Sequence, residues 1–128
     1  MEIINILNNY EVELIVMAGG MKIVTPFFIN KFKNKIINIH PSLLPAYKGG
    51  FAIKDSILNG SKITGCSVHF VDEEVDSGSL IMQAALAIRD DDDIDSLSKR
   101  IHMLEHKILP HSICHAGFFI RNNFMENY

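Results

Sequence analysis

An α/β fold, with a mostly parallel sheet that ends in an antiparallel pair of strands toward the carboxyl terminus, is what these 128 residues predict. Three observations carry that reading. Short β-branched runs alternate with stretches of helical periodicity, the pattern of strands joined by crossover helices. Two late strand-like runs are separated by a short loop, which suits antiparallel neighbours. A hydrophobic content of 48% in a chain of this length supports one core but hardly two, so residues 1–128 are expected to form a single domain.

Met1 to Asn9 reads as a short helix presenting Ile4 and Leu7, followed by a strand from Glu13 to Ala18 and a turn at Gly19-Gly20. Thr25 then stands as a cap with Pro26 in the first helical turn, and Phe27, Phe28, Ile29 and Phe32 supply the apolar face. Lys35 to Ile39 is a buried strand that Pro41 and Pro45 forbid from continuing. Phe51 to Leu58 should be helical and stop at Asn59-Gly60, a pair that tolerates left-handed backbone. Thr64 to Val71 and Leu80 to Ile88 are the antiparallel strands. The run Asp90-Asp91-Asp92-Asp93 resembles a cation site, but ahead of a helix its carboxylates are better explained as caps that complement the positive end of the dipole. Ile94, Leu97, Ile101, Leu104 and Ile108 recur in steps of three and four, so they form an apolar stripe with Glu105 beside it. Pro110 is expected to interrupt or restart that helix and to leave Ile113 to Phe119 as a last packed turn.

The chemistry concentrates in Asn38-Ile39-His40-Pro41-Ser42-Leu43-Leu44-Pro45, followed by Gly49 and later by Val75-Asp76-Ser77-Gly78. Residues i and i+2 of a strand share a face at roughly 6.6 Å, so Asn38 and His40 point the same way while Ile39 packs behind them. They fall at a strand's carboxyl end, where open parallel sheets place their ligands. Taken singly, an Asn before a turn is often a backbone cap and a lone His a structural residue. Together with a carboxylate, the amide and imidazole suit acyl transfer, in which an oxygen becomes anionic and hydrogen-bond donors aimed at it lower the barrier.

These residues resemble the folate-dependent formyltransferases, and most closely the phosphoribosylglycinamide (glycinamide ribonucleotide) formyltransferases of purine synthesis. The similarity runs from about Glu13 to Pro110. Asn-x-His-Pro-Ser-Leu-Leu-Pro marks the superfamily, while Ser67-Val68-His69-Phe70-Val71, Asp76-x-Gly78, Gln83-Ala84 and Glu105-His106-x-x-x-Pro110 point to the purine branch. The resemblance implies a partial Rossmann-like formyltransferase fold. It puts the hydrogen-bonding amide on Asn38, the catalytic histidine on His40, and on Asp76 the carboxylate that favours the charged imidazolium and orients the ring. Folate would be held by Met21, Lys22, Ile23, Val24 and Asn38, and by the loop Asp72, Glu73, Glu74, Val75 and Asp76. The ribonucleotide would meet Pro41, Gly49 and Glu105. Lys22 stands where an arginine is common, which keeps the charge but not the planar fork of donors, and Ile53 replaces a frequent histidine. The implied co-substrate is 10-formyltetrahydrofolate, with glycinamide ribonucleotide as acceptor and no metal.

His69 lies in an alternating strand and is assigned a structural or supporting role. His102 and His106 flank Glu105 at helical spacing but lack the pattern of a metal site, and His111 and His115 repeat that spacing near the terminus. A net charge of −3 gives no reason to expect nucleic acid. No signal segment or bilayer-length apolar span is seen, and Cys66 and Cys114 have no paired-motif spacing, so a reduced, cytoplasmic setting is expected, with no membrane partner.

The resemblance further implies that family members begin with roughly seventy more residues, in which a glycine-rich turn cradles the substrate phosphate at a helix amino terminus. The sheet is therefore expected to lack its amino-terminal strands, as in a truncated domain. Its open edge should favour a homo-oligomer or a complementing amino-terminal chain. Two other readings stay open on the sequence. One is another formyl-group enzyme, acting on transfer RNA or a sugar nucleotide or releasing formate. The other is a catalytically silent folate-binding or assembly module.

Overall fold

The computed structural model of the protein describes residues 2–18, 25–73 and 78–126, with side chains described through residue 122. The chain runs α1 (Glu2–Asn9), β1 (Ile15–Ala18), α2 (Pro26–Lys31), β2 (Ile36–His40), α3 (Ala52–Leu58), β3 (Ile63–Phe70), β4 (Leu80–Ala87) and α4 (Ile94–Glu126). The strands form one four-stranded sheet in sequence order. The Gly19-Gly20 turn expected from the sequence lies outside the described residues.

The sheet is mixed. β1 and β2 are parallel, with Ile15 beside Ile36 and Ala18 beside Ile39, and both β2 with β3 and β3 with β4 are antiparallel. The expected antiparallel pair is present, but the reversal begins one strand earlier, so the described part is not mostly parallel. The chain re-enters the sheet at the end where β2 stopped, so His40 pairs with Ser67 and Ile37 with Phe70 as β3 runs back along β2.

Strand alternation sends side chains to two different layers. Ile37 and Ile39 of β2 join Cys66 and Val68 of β3 and pack against Leu97, Ile101, Ile108 and Ala116 of α4, with Ile53 and Ile57 of α3 alongside. On the opposite face, Ile36 meets Ile4 of α1 and Phe28, Ile29 and Phe32 of the α2 region. Thr25 caps α2 by accepting a 3.2 Å hydrogen bond from the Phe28 amide. Phe27 departs from its expected core position. It is 55% exposed, because the α2 surface that meets the sheet is used by Phe28, Ile29 and Phe32, and the Lys31 ammonium lies over its ring instead.

The acidic run caps α4, as its position suggested. Asp93 Oδ1 accepts from the Ser96 amide at 2.8 Å while Ser96 Oγ accepts from the Asp93 amide at 3.0 Å, so two helix-start donors are satisfied reciprocally. Asp92 accepts from the Arg89 amide and pairs with Arg100, which anchors the turn before the helix to its second turn. These bonds hold the carboxyls of Asp92 and Asp93 below the ordinary range.

Pro110 does not break α4. Proline removes one amide and crowds the preceding turn, yet the helix is continuous from Ile94 to Glu126. Ile108 and Ala116 explain why, since residues on both sides of Pro110 are buried in the same core cluster and tertiary packing outweighs the lost hydrogen bond. Ile113 to Phe119 is accordingly part of this helix rather than a separate turn. Of the apolar stripe, Leu97, Ile101 and Ile108 are buried, whereas Ile94 in the first turn is 46% exposed.

Candidate active site

β2 builds the centre of the site. Asn38 and His40 follow Ile36 on one face of the strand, and both are buried. Register fixes what faces them. Asn38 is opposite His69 and His40 is opposite Ser67, while Ser67 is opposite Gln83 on β4. One face of three strands therefore carries Asn38, His40, Ser67, His69 and Gln83, directly behind an apolar layer.

Asn38, His40, Ser67 and His69 are buried, so each must find a partner, while Gln83 reaches them from the exposed edge strand. Ser67 is the hub: its hydroxyl donates to the Ser42 carbonyl at 2.6 Å and accepts from the Leu44 amide and from Gln83 Nε2, each at 3.0 Å. Gln83 Nε2 also donates to the Leu44 carbonyl at 3.0 Å. The loop after β2 is thereby tied to two neighbouring strands. Its far end returns to the histidine, where His40 Nε2 donates to the Tyr47 carbonyl at 2.8 Å. That bond commits Nε2 as a donor.

Asn38 is 4% exposed, with its amide nitrogen 3.5 Å from His69 Nε2. Its Oδ1 is buried and has no hydrogen-bond partner among the described residues. A buried acceptor left unpaired costs about 1–3 kcal/mol, so the site carries an unmet demand for a donor, which a bound molecule can supply.

Glu105 sits on α4, half-buried beside the apolar stripe, with His102 Nδ1 3.6 Å from Oε1. Burial pushes its carboxyl above the ordinary value, against the opposing pull of His102, His106 and His40. Burial, and to a smaller extent the Glu105 charge, push the Cys66 thiol up to about 11, so this buried cysteine stays protonated and serves as packing.

The other residues singled out in the sequence divide. Pro41 and Gly49 lie in the loop that carries Tyr47, and Gly49 has φ +94°, a conformation that side chains resist. Asp72 and Glu73 are exposed on the strand side of the following loop. Gly78 closes that loop, and a Cβ there would come 1.6 Å from the Phe70 carbonyl, so no larger residue fits. Met21, Lys22, Ile23, Val24, Glu74, Val75 and Asp76 lie outside the described residues. The Tyr47 carbonyl and the connecting role of Ser67 and Gln83 are not foreseen from the sequence. A backbone oxygen leaves no trace in residue types, whereas Ser67 and Gln83 are visible there only as family markers.

A buried amide and imidazole side by side at the carboxyl end of a strand, on an α/β scaffold, suit acyl or formyl transfer. The formyl transferase family profile matches residues 1–113, and the chain belongs to that family. Within it, a phosphoribosylglycinamide formyltransferase of Bacillus subtilis is 44% identical over 108 residues, which cover 84% of this chain and 55% of that protein. A trifunctional purine biosynthetic protein adenosine-3 of Chironomus tentans is 50% identical over 109 residues, covering 85% of this chain and 8% of that much longer protein. The crystal structure of phosphoribosylglycinamide formyltransferase from Anaplasma phagocytophilum superimposes with a TM-score of 0.85 at 41% identity, over 88% of this chain and 55% of the other. The chain thus spans about half the length of these two single-function relatives.

Proposed function

We propose that this chain, folding as one unit, carries the formyl-handling part of a glycinamide ribonucleotide formyltransferase. On this reading it moves a formyl group from 10-formyltetrahydrofolate to the primary amine of glycinamide ribonucleotide in purine synthesis. The co-substrate brings an activated formyl carbon. A carbon–nitrogen bond forms to the amine, the bond to the folate nitrogen breaks, and one proton passes from the first nitrogen to the second.

The observation that carries the reading is the side-by-side burial of Asn38 and His40 at the end of β2, in a chain of this family. Asn38 would donate to the formyl oxygen as charge develops there, and His40 in its charged form would supply a second donor or relay the proton. The Tyr47 carbonyl holds the ring in place while it does so. Asp76 would keep the imidazolium charged. Met21 to Val24 and the Asp72–Asp76 loop would hold the folate. Glu105 would help hold the ribonucleotide, with Pro41 and Gly49 shaping the adjoining wall. The unpartnered Asn38 Oδ1 fits this assignment, because both substrates bring N–H donors.

The test is a formylation assay with glycinamide ribonucleotide and 10-formyltetrahydrofolate on the chain and on His40→Ala. Turnover that the substitution reduces by roughly 10²–10³-fold supports the reading. Turnover unaffected by it, or no turnover and no folate binding by the folded chain, overturns it.

A further inference from the structure

Asn38 can serve an anionic oxygen only if its nitrogen, not its oxygen, is held in the right place, and a side-chain amide rotates readily between the two. We infer that His69 is the positioning residue that fixes this choice, acting as the neutral ring with its proton on Nδ1. The inference rests on the formyl-transfer reading for its catalytic consequence, but on geometry alone for the orientation itself.

The Phe70 carbonyl decides the proton's place. His69 Nδ1 lies 2.9 Å from that oxygen, and two acceptors do not approach so closely, so Nδ1 carries hydrogen. In the neutral ring Nε2 then has only a lone pair. Nε2 faces the Asn38 amide at 3.5 Å, so the amide group turned toward it must be NH2 rather than C=O. The reverse orientation would set carbonyl oxygen against lone pair inside a site where His69 is 1% exposed and Asn38 4%, and where no bulk water screens the repulsion.

The amide nitrogen has two hydrogens. One is held by His69 Nε2, which leaves the second for the oxygen that becomes negative during transfer, and places Oδ1 as the buried acceptor for an N–H of the bound substrate. The spacing of 3.5 Å is long for a hydrogen bond, as such spacings often are before substrate closes the site. His69 touches no reacting atom in this scheme; it acts through Asn38.

The first test reads the proton directly. Long-range proton–nitrogen NMR on the chain with labelled histidine, with His69 assigned by its loss in His69→Gln, should show a neutral ring protonated at Nδ1 near neutral pH. A ring protonated at Nε2, or an imidazolium, overturns the inference whether or not the chain is active. The second test is a kinetic cycle in the same formylation assay. His69→Leu should lower kcat by about 10-fold or more with little change in KM, since the variant misplaces a donor and leaves substrate binding intact. His69→Gln, whose side-chain oxygen can accept from the amide, should recover much of the loss. In an Asn38→Ala background His69→Leu should have no further effect on kcat, because the group it positions is gone. Equal loss in the Leu and Gln variants with unchanged thermal stability, or a full additional loss in the Asn38→Ala background, overturns it. If Asn38→Ala and His40→Ala themselves leave turnover unchanged, the transferase reading fails instead, and the NMR result still stands on its own.

Discussion

The two faces of β2 and β3 are made by alternate residues of the same strands, yet they have opposite characters. Ile37, Ile39, Cys66 and Val68 are sealed under α3 and α4, while Asn38, His40, Ser67 and His69 form a buried polar layer on the other side. The apolar face gains from non-directional burial and tolerates imprecision. The polar face is held by directed bonds at 2.6–3.0 Å from Ser67 and by the ring hydrogen bonds of His40 and His69, and among the described residues it retains one unpaired atom. A rigid apolar layer one residue away allows that cost to be borne at a fixed geometry.

If the faces are separable, substitutions on each should move different quantities. His40→Gln, whose amide can still donate to the Tyr47 carbonyl, should reduce formyl transfer by roughly 10²–10³-fold while leaving urea unfolding little changed, whereas Leu97→Ala should destabilise the fold by about 2–5 kcal/mol with little change in rate per folded molecule. Variants that shift both properties together would show the layers to be one mechanical unit. Ser67→Ala tests the boundary between them. It strands the Leu44 amide and the Ser42 carbonyl, for an expected loss of about 1–3 kcal/mol in denaturant titration, and it frees the loop that carries the Tyr47 carbonyl, so turnover should fall as well.

The smallest effect is expected at Glu105. Burial raises its carboxyl in the folded state, so the stability it contributes is full below the ordinary carboxylate range and is lost as pH rises through the raised value. Glu105→Gln should therefore gain a little in Tm at pH 8 relative to the unaltered chain and gain nothing at pH 4. If Glu105 also helps hold the ribonucleotide, the same variant should show a higher KM for glycinamide ribonucleotide. Asp92 and Asp93 have the opposite sign. Their carboxyls are held low by backbone bonds, so their contribution is present above the ordinary range and disappears on acidification; comparing the variant with its parent at each pH cancels it.

Much of the architecture is legible in the sequence because it rests on local rules. The Thr25-Pro26 start, the Asn59-Gly60 stop and the Asp93 cap each use short-range chemistry that residue types record directly. Pro110 and Phe27 depart from expectation for one reason: local propensity points one way and tertiary packing decides the other. The direction of β3 departs from it because pairing depends on the end at which the chain re-enters the sheet, which hydrophobic patterning does not reveal.

For the site, the sequence alone determined that Asn38 and His40 share a face at a strand end, since a period of two residues leaves no alternative. The motif around them was enough to indicate formyl chemistry. Only the tertiary structure decided that His69 comes to face the Asn38 amide, that Ser67 and Gln83 hold the loop, and that a backbone oxygen of Tyr47 receives the His40 ring. These pairings join residues 7 to 39 positions apart, and an arrangement set by strand register and loop closure is not written in any one segment of the chain.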